Sequence, residues 1–148
     1  MIPILLALVL GSPFPTLHLR SLTAQPVELA PAAGHVRVVD LFATWCEPCR
    51  RSLPALERLR LRYPNVEFIS IAEEKDAALV TRFAKEVGLG ARVLLDPDGG
   101  AYQQLAVKRL PTTFIIIDER GTVLHINHGY GPGFEARMDG CLKALPPG

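Results

Sequence analysis

The chain has 148 residues, of which 49% are hydrophobic and 21% charged, enough for one domain with a sizeable core. Sixteen Lys and Arg stand against fifteen Asp and Glu, a net charge of +1, so no strong field exists to attract nucleic acid. Three cysteines are too few for a disulfide scaffold, and each must be explained by its own chemistry.

The chain opens on an apolar run, Ile2 to Leu10, too short to cross a bilayer as a helix, which takes about 20 residues. Its length fits the core of an export signal, with Val9 and Gly11 as small residues before a cut at Ser12, although no Lys or Arg precedes it. Residues 1–11 are therefore expected to be a signal or anchor segment and residues 12–148 the folded domain. Residues 12–35 carry four prolines and read as short extended pieces with turns.

His35–Ala43 is a buried strand rich in Val, Leu and Phe. Leu53, Leu56, Leu59 and Tyr63 then recur at helical spacing; Pro54 predicts an early break, and Pro64 and Asn65 end the helix. Val66–Ala72 is a second strand. Asp76 suits a helix N-cap, with an apolar stripe of Leu79, Val80, Phe83 and Val87 up to Gly88. Arg92–Asp96 is a short strand, and Ala101–Val107 a short helix. Thr112–Asp118 and Thr122–Asn127 flank "ERG" as a hairpin, and a last helix runs from about Pro132 to Leu145. The order predicts an α/β fold: parallel crossovers first, then an antiparallel pair, in a mixed central sheet with helices on both faces.

Cys46 and Cys49 sit where a strand ends and a helix begins. A structural zinc site needs four ligands, and Cys141, His18, His35, His125 and His128 supply none at strong spacing. A permanent disulfide across two residues would remove little loop entropy. A C-x-x-C beside a βαβ pattern instead reads as a redox pair. Unpaired N–H groups and the helix dipole favour a thiolate on Cys46, and Pro48 is tolerated in the first turn because its missing N–H costs nothing there. Cys49, one turn on, is placed to attack a mixed disulfide on Cys46. Trp45 is either a flat apolar shelf beside the nucleophile or a core aromatic. Asp40, in an apolar strand six residues before Cys46, should have its pKa raised by burial and could take the Cys49 proton, or it could simply hydrogen-bond inside the fold.

"VVDLFATWCEPCRRSLPAL" together with the later "LPTTFIIID" resembles the thioredoxin superfamily, and within it the TlpA/ResA/DsbE-type thiol-disulfide oxidoreductases. "SPFPTLHLRSLTAQPVEL" is similar to the opening β-hairpin of that group. The resemblance implies a thioredoxin-like fold with an N-terminal hairpin extension, and activity outside the cytoplasm, often at the membrane. It implies substrates that are disulfides of exported proteins, apo-cytochrome c among them, and a membrane thiol-electron donor. No cofactor or metal is expected, and the protein is expected to act as a monomer. Pro111, otherwise the start of an edge strand, corresponds to a cis proline packed on the redox pair, with Leu110 and Thr112 beside it as substrate-binding positions. The chain departs from the group at Ser52, where many members carry an acid, and at Asp40, which matches the buried acid of thioredoxin itself.

Glu47 and Pro48 lie between the cysteines as modulators of the couple. A carboxylate beside Cys46 opposes its thiolate, so a reductant is expected rather than a strong oxidant. Arg50 and Arg51 pull the other way but are better screened by water. The arginines at 50, 51, 58, 60 and 62 read as a solvated helix face, and Cys141 as a small buried hydrophobe. An alternative on the same fold is a copper- or thiol-binding chaperone using His125 or His128 with the cysteines. A peroxidase would need a lone cysteine in a P-x-x-x-T-x-x-C setting, which is absent.

Overall fold

The computed structural model describes residues 10–30, 34–117 and 121–145. Most of the expected export segment, and part of the "ERG" connection, lie outside the described residues. The elements are β1 (Leu17–Arg20), β2 (Pro26–Leu29), β3 (Arg37–Phe42), α1 (Glu47–Arg62), β4 (Glu67–Ala72), α2 (Ala77–Val87), β5 (Arg92–Leu95), α3 (Gly100–Gln104), β6 (Thr112–Ile117), β7 (Thr122–His128) and α4 (Phe134–Lys143). Seven strands form one sheet in the order β2-β1-β5-β4-β3-β6-β7. β3 pairs parallel with β4, and β4 with β5, through α1 and α2; β3 pairs antiparallel with β6, and β6 with β7. This is the mixed sheet expected from the pattern of elements.

β3 is buried along its whole length because both of its faces are covered. Val38 and Phe42 pack with Leu53, Leu56 and Leu59 of α1, Phe83 of α2 and Phe134 of α4. Val39 and Leu41 pack on the opposite face with Phe14, Leu17, Tyr102 and Phe114. Alternation along the strand therefore puts Asp40 on the α1 side.

The N-terminal segment spans both ends of the sheet. Gly11 and Phe14 donate backbone hydrogen bonds to Val123 and Gly121 (both 2.8 Å), beside β7. Phe14 stacks edge-on against Phe114 with ring centroids 5.4 Å apart, and β1 then joins β5 through Arg20 and Leu95. The predicted hairpin is thus an extension of the sheet, with β1 and β2 in register from Leu17–Leu29 to Arg20–Pro26.

Two local expectations need correction. Pro54 does not break the helix: α1 runs unbroken over 16 residues. The missing N–H and ring clash cost about 3 kcal/mol. Leu53, Leu56 and Leu59 are all buried, at about 1.5–3 kcal/mol each, and outweigh it. The helix after β5 is shorter than expected, five residues rather than seven. Ala106 enters the left-handed region (φ 54°), and the N–H groups of Ala106 and Val107 turn back to the carbonyls of Gln103 (3.1 Å) and Tyr102 (3.0 Å), closing the helix.

Tyr102 links this short helix to the ends of two strands. Its buried hydroxyl donates to the carbonyl of Phe42, at the end of β3, and is shared with that of Ile71 in β4 (2.8 Å). Tyr102→Phe takes the shared hydroxyl from both carbonyls, leaving that of Phe42 the longer bond from the Glu73 N–H (3.3 Å), and should cost about 1–3 kcal/mol in urea unfolding with an unchanged m-value. A loss below about 0.5 kcal/mol would show that the hydroxyl does not hold the strand ends.

Candidate active site

Four residues separate the last residue of β3 from the first of α1, and the turn is pinned at both ends. Glu73 donates its N–H to the Phe42 carbonyl (3.3 Å), and Cys46 donates its own to Ala43 (3.1 Å). The Glu74 carboxylate accepts from the Thr44 N–H (3.3 Å) and hydroxyl.

Cys46 is the N-cap of α1, in an extended conformation, and its Sγ accepts the Cys49 N–H at 3.3 Å. Pro48 occupies the first turn, where it removes one of the donors that would otherwise lack a partner. Cys46 and Cys49 are joined as a disulfide with Cα atoms 5.3 Å apart. Cys46 retains 4% exposure and Cys49 none, so of the two sulfurs Cys46 is the more open. Ser52, one turn further on, is buried and donates to the Cys49 carbonyl (3.3 Å).

Asp40 is 1% exposed on the α1 side of β3. The Thr113 hydroxyl donates to its Oδ1 at 2.9 Å, across the β3–β6 pair, while Oδ2 is buried with no hydrogen-bond partner. Burial pushes its pKa up to about 7 against the smaller, opposing effect of the Thr113 bond. Ser70, its parallel partner on β4, supplies no cation to hold the charge.

A cleft of about 420 Å³ opens beside Cys46, lined by Trp45, Glu47, Pro48 and Glu73 on one side and Lys108, Arg109 and Leu110 on the other, with Tyr102 and Val107. Trp45 is 72% exposed, which removes the core reading, and it also borders a second cleft with Arg50, Arg82 and Phe83. Leu110–Pro111 is a cis peptide. Thr112 is fully buried, and its hydroxyl donates to the Arg109 carbonyl (2.5 Å), so its side chain shapes the loop and is not part of the cleft surface. Burial, then Asp96 and Glu74, raises the Glu73 pKa, and burial, then the Asp40 charge, raises that of Tyr102.

The sequence pattern did not signal Glu73, Glu74, Tyr102, Lys108 or Arg109, which come together only through the fold. The arginines of α1 also differ from a simply solvated face. Arg50 pairs with Glu86 (3.2 Å) and lies over the Phe83 ring, Arg58 pairs with Glu135 (2.5 Å) and Arg62 with Asp139 (3.1 Å), tying α1 to α2 and α4. His125 and His128 lie on β7, and neither lines the cleft at Cys46. His125 has a lowered pKa from burial and from Arg137, and its Nε2 has no partner among the described residues. Cys141 is a half-buried free thiol on α4. Among the described residues, no three His, Cys, Asp or Glu side chains gather as a metal site.

The Redoxin family model matches residues 10–142. Among curated relatives, the thioredoxin-like protein YneN of Bacillus subtilis is 33% identical over 125 residues, covering 80% of this chain and 71% of that protein. The thiol-disulfide oxidoreductase ResA of the same organism is 30% identical over 140 residues, covering 93% and 76%. Among solved structures, a Chlorobium tepidum protein described as a thiol:disulfide interchange protein DsbE superposes with a TM-score of 0.84 at 27% identity, covering 93% of this chain and 98% of that one.

The raised Asp40 pKa fixes the sign of a stability effect. Between the unfolded value near 4 and the folded value of about 7, the native state holds a proton that the unfolded chain releases. Stability therefore falls as pH rises through that window, by roughly 4 kcal/mol in total. Asp40→Asn should remove most of this slope, so its advantage over the parent grows from pH 4 to pH 8 in denaturant titrations. Parallel pH profiles for the two proteins would show that Asp40 is not the buried proton carrier.

Proposed function

Because this chain belongs to the Redoxin family, we propose that its thiol-disulfide oxidoreductase activity runs through Cys46 as nucleophile, Cys49 as resolving thiol and Asp40 as the base that frees Cys49. The chain is of the TlpA/ResA/DsbE type, and it is a thiol-disulfide oxidoreductase. The observation that carries the assignment of roles is the capped helix start: the reactive sulfur is itself the N-cap, open to the cleft, while its partner is sealed one turn behind.

In the reducing direction the Cys46 thiolate attacks one sulfur of a protein disulfide. A Cys46–substrate disulfide forms, and the other substrate sulfur leaves as a thiolate and takes up a proton. The dipole of α1 and the Cys49 N–H favour the Cys46 anion. Asp40, its pKa near neutrality, accepts the Cys49 proton. The Cys49 sulfur then attacks Cys46 Sγ, closing the intramolecular disulfide and expelling the second substrate thiolate. Two electrons have passed to the substrate, and a thiol donor must return them. Trp45 and Leu110 line the cleft that takes the substrate strand, Pro111 follows Leu110 through the cis bond, and the backbone around Leu110 is the pairing edge.

The direction is read from Glu47, which lies exposed between the cysteines at the cleft and disfavours the thiolate. Arg50, which could favour it, is occupied by Glu86. A reductant therefore fits best, acting outside the cytoplasm on exported proteins, apo-cytochrome c included, with a membrane donor. That setting is what the resemblance to the TlpA/ResA/DsbE group implies, and the similarity to ResA and DsbE supports the group. No helix among the described residues is long and apolar enough to cross a membrane.

Cys49→Ser should accumulate covalent complexes with substrate, and Cys46→Ser should abolish reduction of a model disulfide. Iodoacetamide reacting faster at Cys49 than at Cys46 in the reduced protein would reverse the roles. Asp40→Asn should slow the resolving step by roughly tenfold or more near pH 8, and less near pH 6. Equilibration with glutathione should place the couple below about −180 mV, and a higher value would sink the reductant reading.

A further inference from the structure

Residues flanking a substrate cysteine set the intrinsic reactivity of its sulfur toward any thiol, so selectivity that belongs to this protein must come from the walls of the cleft. Those walls carry opposite charge. Glu47 and Glu73 stand on the side of α1 and β4, and Lys108 and Arg109 stand on the loop leading into β6. Neither Lys108 nor Arg109 makes an ion pair among the described residues, whereas Arg50, Arg58, Arg60 and Arg62 of α1 all do.

The loop that carries the two cations is held at both ends. At its start, the left-handed Ala106 and the bond from the Val107 N–H to Tyr102 set the direction in which the chain leaves α3. At its end, the Thr112 hydroxyl holds the Arg109 carbonyl (2.5 Å), and the Gly129 N–H holds the Pro111 carbonyl (2.6 Å). Gly129 is buried with φ 77°, and a Cβ added there would lie 2.9 Å from Arg109 Nε. The Arg109 side chain thus lies across a bare glycine at the rim, and Asn127 Nδ2 fixes that glycine through its carbonyl (2.8 Å). A cation with a fixed seat and no ion-pair partner among the described residues is an available counter-charge.

We propose that Lys108 and Arg109 select disulfide substrates carrying an Asp or Glu beside the attacked cysteine, that side chain lying along the β6 wall. The proposal rests on the exchange reading above. A carboxylate on that wall meets two cations that have no ion-pair partner among the described residues, whereas on the opposite wall it meets Glu47 and Glu73. A lysine in its place is repelled by the wall it must lie on.

The test uses the full reduced protein and two disulfide peptides identical except for Asp or Lys flanking the cysteine. Each single-turnover rate is divided by that peptide's rate with dithiothreitol, which cancels the intrinsic reactivity of its sulfur. Uncharged hydroxyethyl disulfide reports the Cys46 chemistry alone. The Asp peptide should react about fivefold faster at low ionic strength, the size of one or two exposed charge pairs, and the preference should shrink in high salt. The Lys108→Gln, Arg109→Gln double variant should bring the two peptides level, the Lys108→Glu, Arg109→Glu variant should invert their order, and Arg109→Lys should keep it. Equal rates in the parent protein, or a preference that survives the double variant, overturn the proposal while turnover of hydroxyethyl disulfide leaves the exchange reading standing. No reaction with any of the three disulfides overturns both.

Discussion

The bond from the Cys49 N–H to Cys46 Sγ does two jobs at once. A helix start leaves several N–H groups without partners, and an oxygen from Ser, Thr, Asp or Asn usually takes one. Asp76 does this for α2, accepting from Leu79 at 3.1 Å. In α1 the cap is a sulfur, so the group that completes the helix is also the proposed nucleophile. The thiolate is favoured by donors that the helix would have presented to any anion there. The surrounding structure keeps this cap in place: Tyr102 and Glu73 hold the end of β3, and Glu74 holds Thr44.

Asp40 is the counterpart of that economy. Other carboxylates among the described residues are better held: Glu67 pairs with Arg37 (2.6 Å), the Asp96 oxygens accept the N–H groups of Ala101 (3.1 Å) and Tyr102 (3.0 Å), and Asp139 gathers Tyr63, Arg62 and Lys143. Asp40 has one hydrogen bond, one orphaned oxygen and no cation. An unpaired carboxyl in the centre of a buried strand lowers stability once it ionises, and an apolar residue would pack there at less cost. That cost fits the proton-carrying role proposed for Asp40, whose pKa burial brings up to about 7.

Some of this architecture could be read from the chain. The Val-Phe run of β3, the Asp76 cap and the Gly88 stop are local signals that tertiary packing did not override. The cysteine pair at a strand-to-helix junction is a local signal too. Pro54 misled because a local rule about backbone donors says nothing of the three leucines that bury the same helix. Trp45 could not be resolved by composition, since an aromatic next to a buried strand fits a core or a rim equally well. Arg50, Arg58 and Arg62 look like a solvent face until α2 and α4 bring Glu86, Glu135 and Asp139 to them. Tyr102, Lys108, Arg109 and Gly129 carry no local signal at all. Their roles depend on contacts across strands far apart in the sequence.

The two walls of the cleft come from different parts of the fold, and this divides the chemistry from the selection. The reactive side is built by the β3–α1 junction, where changing a residue disturbs the helix cap, the strand end or the buried acid. The opposite wall is a loop between α3 and β6 whose backbone is fixed by Ala106, Thr112 and Gly129. The side chains of Lys108 and Arg109 are exposed and bear none of that backbone work. Their charge can therefore change without loosening the loop, while the exchange step across the cleft stays as it is. Selectivity is placed where substitution is cheap, and reactivity where it is costly.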